Sequence, residues 1–190
     1  MNCEVVSSKL IFHEFLKVEK ARVRWELFDG GLGPVSTRYV VRRGDSVGVL
    51  PVCEKSGRII LVKQFRFSAV RGDDDGYLWE IPAGMVDGNE DPADTAVREL
   101  FEEVGLKTAA VEKLISYFLS PGLLDEKMHL YLVRIDDCSD IKRIGGNPEE
   151  HENLLVKEFG REELLAMMEK GEIIDAKSIA ALLYYFIRFA

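Results

Sequence analysis

Residues 84–106 read GMVDGNEDPADTAVRELFEEVGL. The glycine-containing stretch Gly84–Gly88 runs into a segment that carries the start and stop signals of one helix. Asp91 is its cap, and Pro92 takes the first helical position, where a missing N–H is no loss. Gly105, a residue type that readily adopts the left-handed conformation, closes it. Val97, Leu100, Phe101 and Val104 follow helical spacing and predict an apolar face. Glu99, Glu102 and Glu103 stand at i, i+3 and i+4, so at ~100° per residue their carboxylates fall within roughly 100° of arc. Arg98 sits beside them, four residues before Glu102.

A solvated helix face is the ordinary reading of such charges, and two details oppose it. Glu99 and Glu103 are like charges one turn apart, which costs a few tenths of a kcal/mol unless a cation lies between them. No lysine is interleaved to supply it. Oxygen donors clustered without nitrogen or sulfur favour magnesium, or manganese as a substitute, over zinc. A pyrophosphate needs such a platform, because its oxygens repel a nucleophile until divalent charge offsets theirs. The glycines at 84 and 88 let backbone approach the ions closely. Loop and acidic helix are therefore read as one metal platform.

Outward from this segment the chain is ordinary. Its 190 residues, 47% hydrophobic and 31% charged, suit one substantial domain with a small appendage. A net charge of −8 opposes a surface built to hold nucleic acid. No apolar run approaches the ~20 residues of a membrane span, and no signal peptide is read at the N-terminus, so the expected compartment is the cytoplasm. Cys3, Cys53 and Cys138 are widely separated and form no CxxC pair, so neither a disulfide framework nor a zinc site is expected. His13, His129 and His151 each stand alone and receive no role.

Before the platform, Val23, Trp25 and Leu27 alternate with charged residues, and the turn run Asp29–Pro34 separates them from a second extended run at 35–42. This predicts a small N-terminal β-hairpin domain over 1–45, unable to bury a core alone. The main domain is expected over 46–190. Within it, 46–52, 58–65, 77–82, 128–135 and 154–159 read as strands, and 161–170 and 176–189 as helices. In the last helix Asp175 is the expected cap, and Ile179, Leu182, Leu183 and Phe186 the buried stripe. Strands and helices mixed without strict βαβ alternation predict an α+β sandwich. The acidic run 148–153 reads either as an edge of the active site or as a solvated loop, with the solvated reading preferred.

The 84–106 segment matches the Nudix box, G-x5-E-x7-R-E-U-x-E-E-x-G-U, at every specified position. Gly84, Glu90, Arg98, Glu99, Leu100, Glu102, Glu103, Gly105 and Leu106 fill it. Seven fixed residues at about 6% frequency each would coincide in roughly one window in 10^8. The chain thus resembles the Nudix hydrolase superfamily. That resemblance implies the Nudix fold, an α/β/α sandwich with a mixed sheet. It implies metal ligands at Glu99, Glu103, Glu102 and the Ala83 carbonyl, and an Arg98–Glu90 salt bridge holding the loop to the helix.

Pointers outside the box resemble the ADP-ribose pyrophosphatase and nucleoside diphosphate sugar hydrolase group. Pro121 lies sixteen residues after Gly105, within Ser120-Pro121-Gly122. Glu126 stands where resembling enzymes place a general base or added metal contact, a role a carboxylate can fill. Gln64-Phe65-Arg66 and Trp79-Glu80-Ile81-Pro82-Ala83-Gly84 are similar to this group's signatures, which would aim Arg66 at a substrate phosphate. Trp79 reads as core packing. The N-terminal region resembles the small domain that swaps across a homodimer, implying base stacking by Trp25 and a phosphate or ribose contact by Arg43.

The expected activity is magnesium-dependent cleavage of a nucleoside diphosphate sugar, with ADP-ribose giving AMP and ribose 5-phosphate as the leading case. The long acidic 69–77 loop resembles the GDP-mannose branch and keeps that substrate open. A sensing domain that binds ADP-ribose without cutting it is disfavoured by the intact box. RNA decapping is disfavoured by the negative charge.

Overall fold

The computed structural model describes residues 2–108, 110–147, 149 and 151–189. The chain divides into two compact units, one of residues 2–45 with Phe118–Lys127 and one of Ser46–Tyr117 with residues 128–189.

The smaller unit is a three-stranded antiparallel sheet ordered β1 (Cys3–His13), β2 (Lys17–Trp25), β3 (Ser36–Arg42). The expected hairpin is β2–β3, paired from Lys17↔Arg42 to Val23↔Ser36. The sequence reading missed β1, which makes the hairpin a three-stranded sheet. Its apolar residues Val5, Val6, Leu10, Ile11 and Phe12 fall in adjacent runs rather than alternating. Register shifts between Val5/Ser7 and Leu10/Phe12 accommodate them. Every residue of β1 is exposed. The distant segment completes the unit: Val41 N donates to Leu123 O at 2.8 Å, and Asp125 N to Val41 O at 3.2 Å.

The larger unit holds β4 (Ser46–Cys53), β5 (Arg58–Phe65), β6 (Tyr77–Glu80), β7 (Ala83–Met85), α1 (Pro92–Val104), β8 (Glu112–Phe118, whose last residue groups with the smaller unit), β9 (Lys127–Ile135, whose first residue does so too), β10 (Ile144–Gly145), β11 (Leu154–Phe159), α2 (Arg161–Glu169) and α3 (Ala176–Arg188). Its mixed sheet runs β10-β11-β5-β4-β9-β8, with β6 on β5 and β7 on β4. β4 and β9 are parallel, Ser46↔Met128 through Cys53↔Ile135. Alternation sorts the strands into two faces. Leu50, Val52, Ile59, Leu61, Leu130 and Leu132 pack with Leu164, Leu182 and Phe186 of α2 and α3. Val47, Val49, Ile60, Val62 and Val133 pack with Ala96, Leu100 and Val104 of α1. This is an α/β/α sandwich. Each fully buried Leu or Ile contributes roughly 1.5–3 kcal/mol.

Helix α1 begins and ends as its sequence dictates. Asp91 Oδ1 accepts from Ala93 N at 2.8 Å, Pro92 follows, and Gly105 takes φ 85°. Beyond it, Lys142 N and Gly146 N bond to Val104 O and Glu102 O at 2.9 and 3.2 Å, satisfying late carbonyls. Its inward face differs from the apolar spacing. Phe101 is exposed, with Lys107 and Lys142 each 5.3 Å from its ring centroid. Thr95, Ala96, Glu99, Leu100, Glu103 and Val104 are the buried residues. In α3, Leu183 likewise points outward while Leu182 and Phe186 are buried.

Candidate active site

The box helix turns two of its carboxylates inward. Glu99 is 8% exposed and Glu103 only 1%. Gly84, next to Ala83 at the start of β7, makes room for the first: a Cβ there would collide with the Glu99 carboxylate. Arg98 ties loop to helix. Its Nη1 lies 2.8 Å from Glu99 Oε1 and 3.3 Å from Glu102 Oε2, and its Nη2 lies 3.3 Å from both Glu90 Oε2 and Met85 O. Thr95 Oγ1 donates to the same Glu90 oxygen at 2.8 Å. Burial lowers the arginine's proton affinity, but the Glu90 bond and the charges of Glu99, Glu90 and Glu102 hold Arg98 above its ordinary value. Glu90 is held low by Thr95 and Arg98.

Glu99 and Glu103 are short of positive charge. Burial, helped by Glu102 and Glu152 and opposed by Arg98, pushes Glu99 up to about 7. Burial with the charges of Glu99 and Glu152 raises Glu103 well above the carboxylate range. Glu103 Oε2 is buried with no hydrogen-bond partner among the described residues. An orphaned buried oxygen beside a second desolvated carboxylate fits a hard divalent cation, which would remove both penalties together.

A second cluster shares this region. Glu80, at the end of β6, accepts from Arg66 Nε and Nη2 at 2.9 and 2.8 Å, and Lys177 Nζ reaches it at 2.5 Å. Burial opposes its charge, but the Arg66 bond and the charges of Lys177 and Arg66 keep Glu80 below the usual value. The charges of Lys177 and Arg66 also act on Glu103. Trp79 packs edge-on against Phe159, 4.8 Å between centroids, as core.

The remaining expected site residues lie in the smaller unit. Arg43 Nε is 3.3 Å from Glu126 Oε2, and Arg43 N donates to Asp125 Oδ1 at 2.8 Å. Glu126 is buried. Pro121 is exposed in a turn where Leu123 N and Leu124 N bond to Ser120 O at 3.0 and 2.8 Å. Trp25 ends β2 with Arg38 4.8 Å from its ring centroid.

A family model described as NUDIX domain matches residues 42–182. The chain belongs to the Nudix family. An ADP-ribose pyrophosphatase of Bacillus subtilis is 36% identical over 152 residues, 80% of this chain and 77% of its own. A GDP-mannose pyrophosphatase of Pectobacterium atrosepticum is 31% identical over 186 residues, 97% and 94% of the two chains. A solved structure described as an ADP compounds hydrolase is similar in fold, with TM-score 0.72 at 19% identity, covering 97% of this chain and 92% of that one. The chain is a Nudix pyrophosphohydrolase, with the Nudix fold and a separate small sheet at its N-terminus.

Sequence reasoning gave no role to Glu80, Lys177 or Glu152 of this Nudix site. Glu80 lay inside a quoted motif, whereas Lys177 had no signal beyond following the helix cap. Glu152 belongs to the acidic run for which the solvated reading was preferred over an edge of the site, and its charge reaches Glu99 and Glu103; Pro148 and Glu150 of that run lie outside the described residues. The three cysteines are free thiols, as expected. Sulfur atoms of buried Cys53 and Cys138 lie with a Glu158 oxygen within 4.8 Å of one another, because parallel β4 and β9 bring distant residues together.

Proposed function

We propose that this enzyme hydrolyses the pyrophosphate of a nucleoside diphosphate sugar with magnesium, ADP-ribose giving AMP and ribose 5-phosphate. The observation that carries the reading is the orphaned Glu103 oxygen beside the desolvated Glu99. Glu99, Glu103 and Glu102, with the Ala83 carbonyl, would hold the ion, and manganese would substitute. When bound, the ion supplies positive charge against the phosphate oxygens and makes nearby water more acidic. Arg98 and Glu90 keep the loop against the helix so that the carboxylates stay aimed. Arg66 offers guanidinium N–H groups to a phosphate oxygen. Glu126 is assigned the proton of the attacking water, with Arg43 beside it as a phosphate or ribose contact. Trp25 is assigned the base and Pro121 the substrate-facing loop.

A second substrate, GDP-mannose, is favoured by the 31% identity to a GDP-mannose pyrophosphatase and by the acidic 69–77 loop. Residues 1–45 and 46–190 are assigned as substrate-capping and catalytic domains of a homodimer in the cytoplasm. Exposed Val5, Leu10 and Phe12 on β1 support a self-associating surface. Neither nucleic acid nor membrane is assigned as a partner: the net charge is −8, and no helix among the described residues is long and apolar enough to cross a bilayer.

Parallel turnover of ADP-ribose and GDP-mannose, in magnesium and in EDTA, tests the reading. AMP release from ADP-ribose, dependent on metal and faster than GMP release from GDP-mannose, is expected. The reverse preference moves the enzyme to the second substrate, and equal rates in EDTA overturn the metal assignment. Analytical ultracentrifugation tests the dimer.

A further inference from the structure

The buried carboxylate of Glu80 is surrounded by donors. Arg66 fills one edge through Nε and Nη2, Lys177 Nζ lies 2.5 Å from Oε2, and Gln64 Nε2 lies 3.4 Å from the same oxygen. Lys177 is itself 8% exposed, and Asp175 Oδ1 is 3.1 Å from its nitrogen. Asp175 is occupied as the cap of α3, accepting from Ser178 N at 2.9 Å and from Ser178 Oγ at 2.5 Å. Ser178 Oγ in turn accepts from Ile81 N at 2.8 Å, which fixes the helix start to the strand carrying Glu80.

Glu80 and Arg66 alone sum to zero, and a neutralised guanidinium attracts a phosphate weakly. Lys177 Nζ sits on the same Glu80 oxygen as Arg66 Nη2 and so takes a share of that carboxylate's charge; Asp175 beside Lys177 brings the four side chains to zero together, and both cations act on Glu103. The Arg66 side chain remains 41% exposed, and its two bonds to Glu80 use Nε and Nη2. Nη1 takes part in neither and is turned to no acceptor among the described residues.

We propose that Glu80 and Lys177 are positioning residues for a diphosphate ester: Glu80 aims the Arg66 fork, and Lys177 shares the Glu80 carboxylate so that its charge does not fall on Arg66 alone. This rests on the pyrophosphate reading above and names two residues through which it works. Neither touches the substrate. Both act through Arg66.

The experiment is a double-mutant cycle on the full chain with Arg66→Lys, Lys177→Met and the pair, read as KM and kcat for ADP-ribose in magnesium. Each single change is expected to raise KM about tenfold with kcat within about threefold, the ground-state binding signature. The pair is expected to stay within about twofold of the worse single variant, since Lys177 acts through Arg66. Lys177→Arg, which keeps the charge, is expected to restore KM to within about twofold of the unmodified enzyme. Dissociation constants for ADP-ribose in EDTA, where turnover is absent, are expected to follow the same ratios.

Effects that multiply to about a hundredfold in the pair, or an unchanged KM in Lys177→Met, overturn the proposal. Should Lys177→Met not fold, Glu80→Gln/Lys177→Met removes both buried charges together and takes its place in the cycle. A KM like that of the unmodified enzyme then overturns the proposal. An unmodified enzyme inert toward every nucleotide sugar would instead overturn the pyrophosphate reading. In that case dissociation constants for inorganic pyrophosphate carry the same cycle.

Discussion

Helices α1 and α3 are each 13 residues long, and each starts on an aspartate cap, Asp91 or Asp175. They pack on opposite faces of one sheet, and each buries charge. Lys177 of α3 meets Glu80, so its cost of burial is offset within the protein. Glu103 of α1 leaves one oxygen with no partner among the described residues. A native chain tolerates the first kind of burial for architecture. The second persists where something outside the chain completes it.

The largest effect on stability expected from breaking this contrast is at the closed cluster. Glu80→Ala takes from the buried Lys177 its nearest carboxylate and from the partly exposed Arg66 its partner, and should lower unfolding free energy by about 3 kcal/mol in urea titration. By contrast, Glu103→Gln should leave metal-free stability unchanged or raised. It should cut kcat/KM about 10^2–10^3-fold, equivalent to about 2.7–4 kcal/mol. If both substitutions destabilise equally in EDTA, the two clusters are not different in kind.

A pH series sharpens the same point with a smaller effect. Glu99 is raised from 4.5 to about 7 and Glu103 is raised well above its ordinary value, so between 4.5 and about 7 the folded state binds more protons than the unfolded chain. Metal-free stability should therefore be greatest toward pH 5 and fall as pH rises through about 7, lowering Tm by a few degrees in EDTA. Magnesium should flatten that slope by holding the carboxylates ionised. Glu80, held low, has the opposite sign, its contribution lost only as pH falls below the usual carboxylate range. The smallest change is at the caps, which the helices share. Asp91→Ala should cost about 1 kcal/mol in the same urea titration and leave KM alone.

Those caps were also the most legible feature. Asp91, Pro92 and Gly105 mark α1 by local rules that need no tertiary partner, and the structure follows them residue for residue. Helical spacing was a weaker guide to burial. Phe101 and Leu183 sit at the edges of their stripes, where tertiary packing decides which residue turns in; α1 spends its inward face on Glu99 and Glu103 instead. Strand β1 hid because paired apolar residues and two register shifts erase the period-two signal. The Glu80 cluster was invisible for a different reason: Gln64 of β5, Arg66 just past its end, Glu80 of β6 and Lys177 of α3 are joined only when the sheet and α3 pack.

The smaller unit is sewn from two pieces of chain. Arg42 binds Asp125 across 83 positions of sequence, and the Val41–Leu124 bridge lies beside it. Such a closure costs entropy long before its bonds are made, which delays it relative to the local β1–β2–β3 pairings. The Phe118–Lys127 segment hangs between β8 and β9, so its delivery waits on strands that belong to the other unit. A fragment ending at residue 45 would keep three strands but lose the acceptor at Leu123 and the carboxylate of Asp125. In stopped-flow refolding, β1–β3 should gain structure in an early phase, while the ordering of residues 118–127 should share its rate with the central sheet.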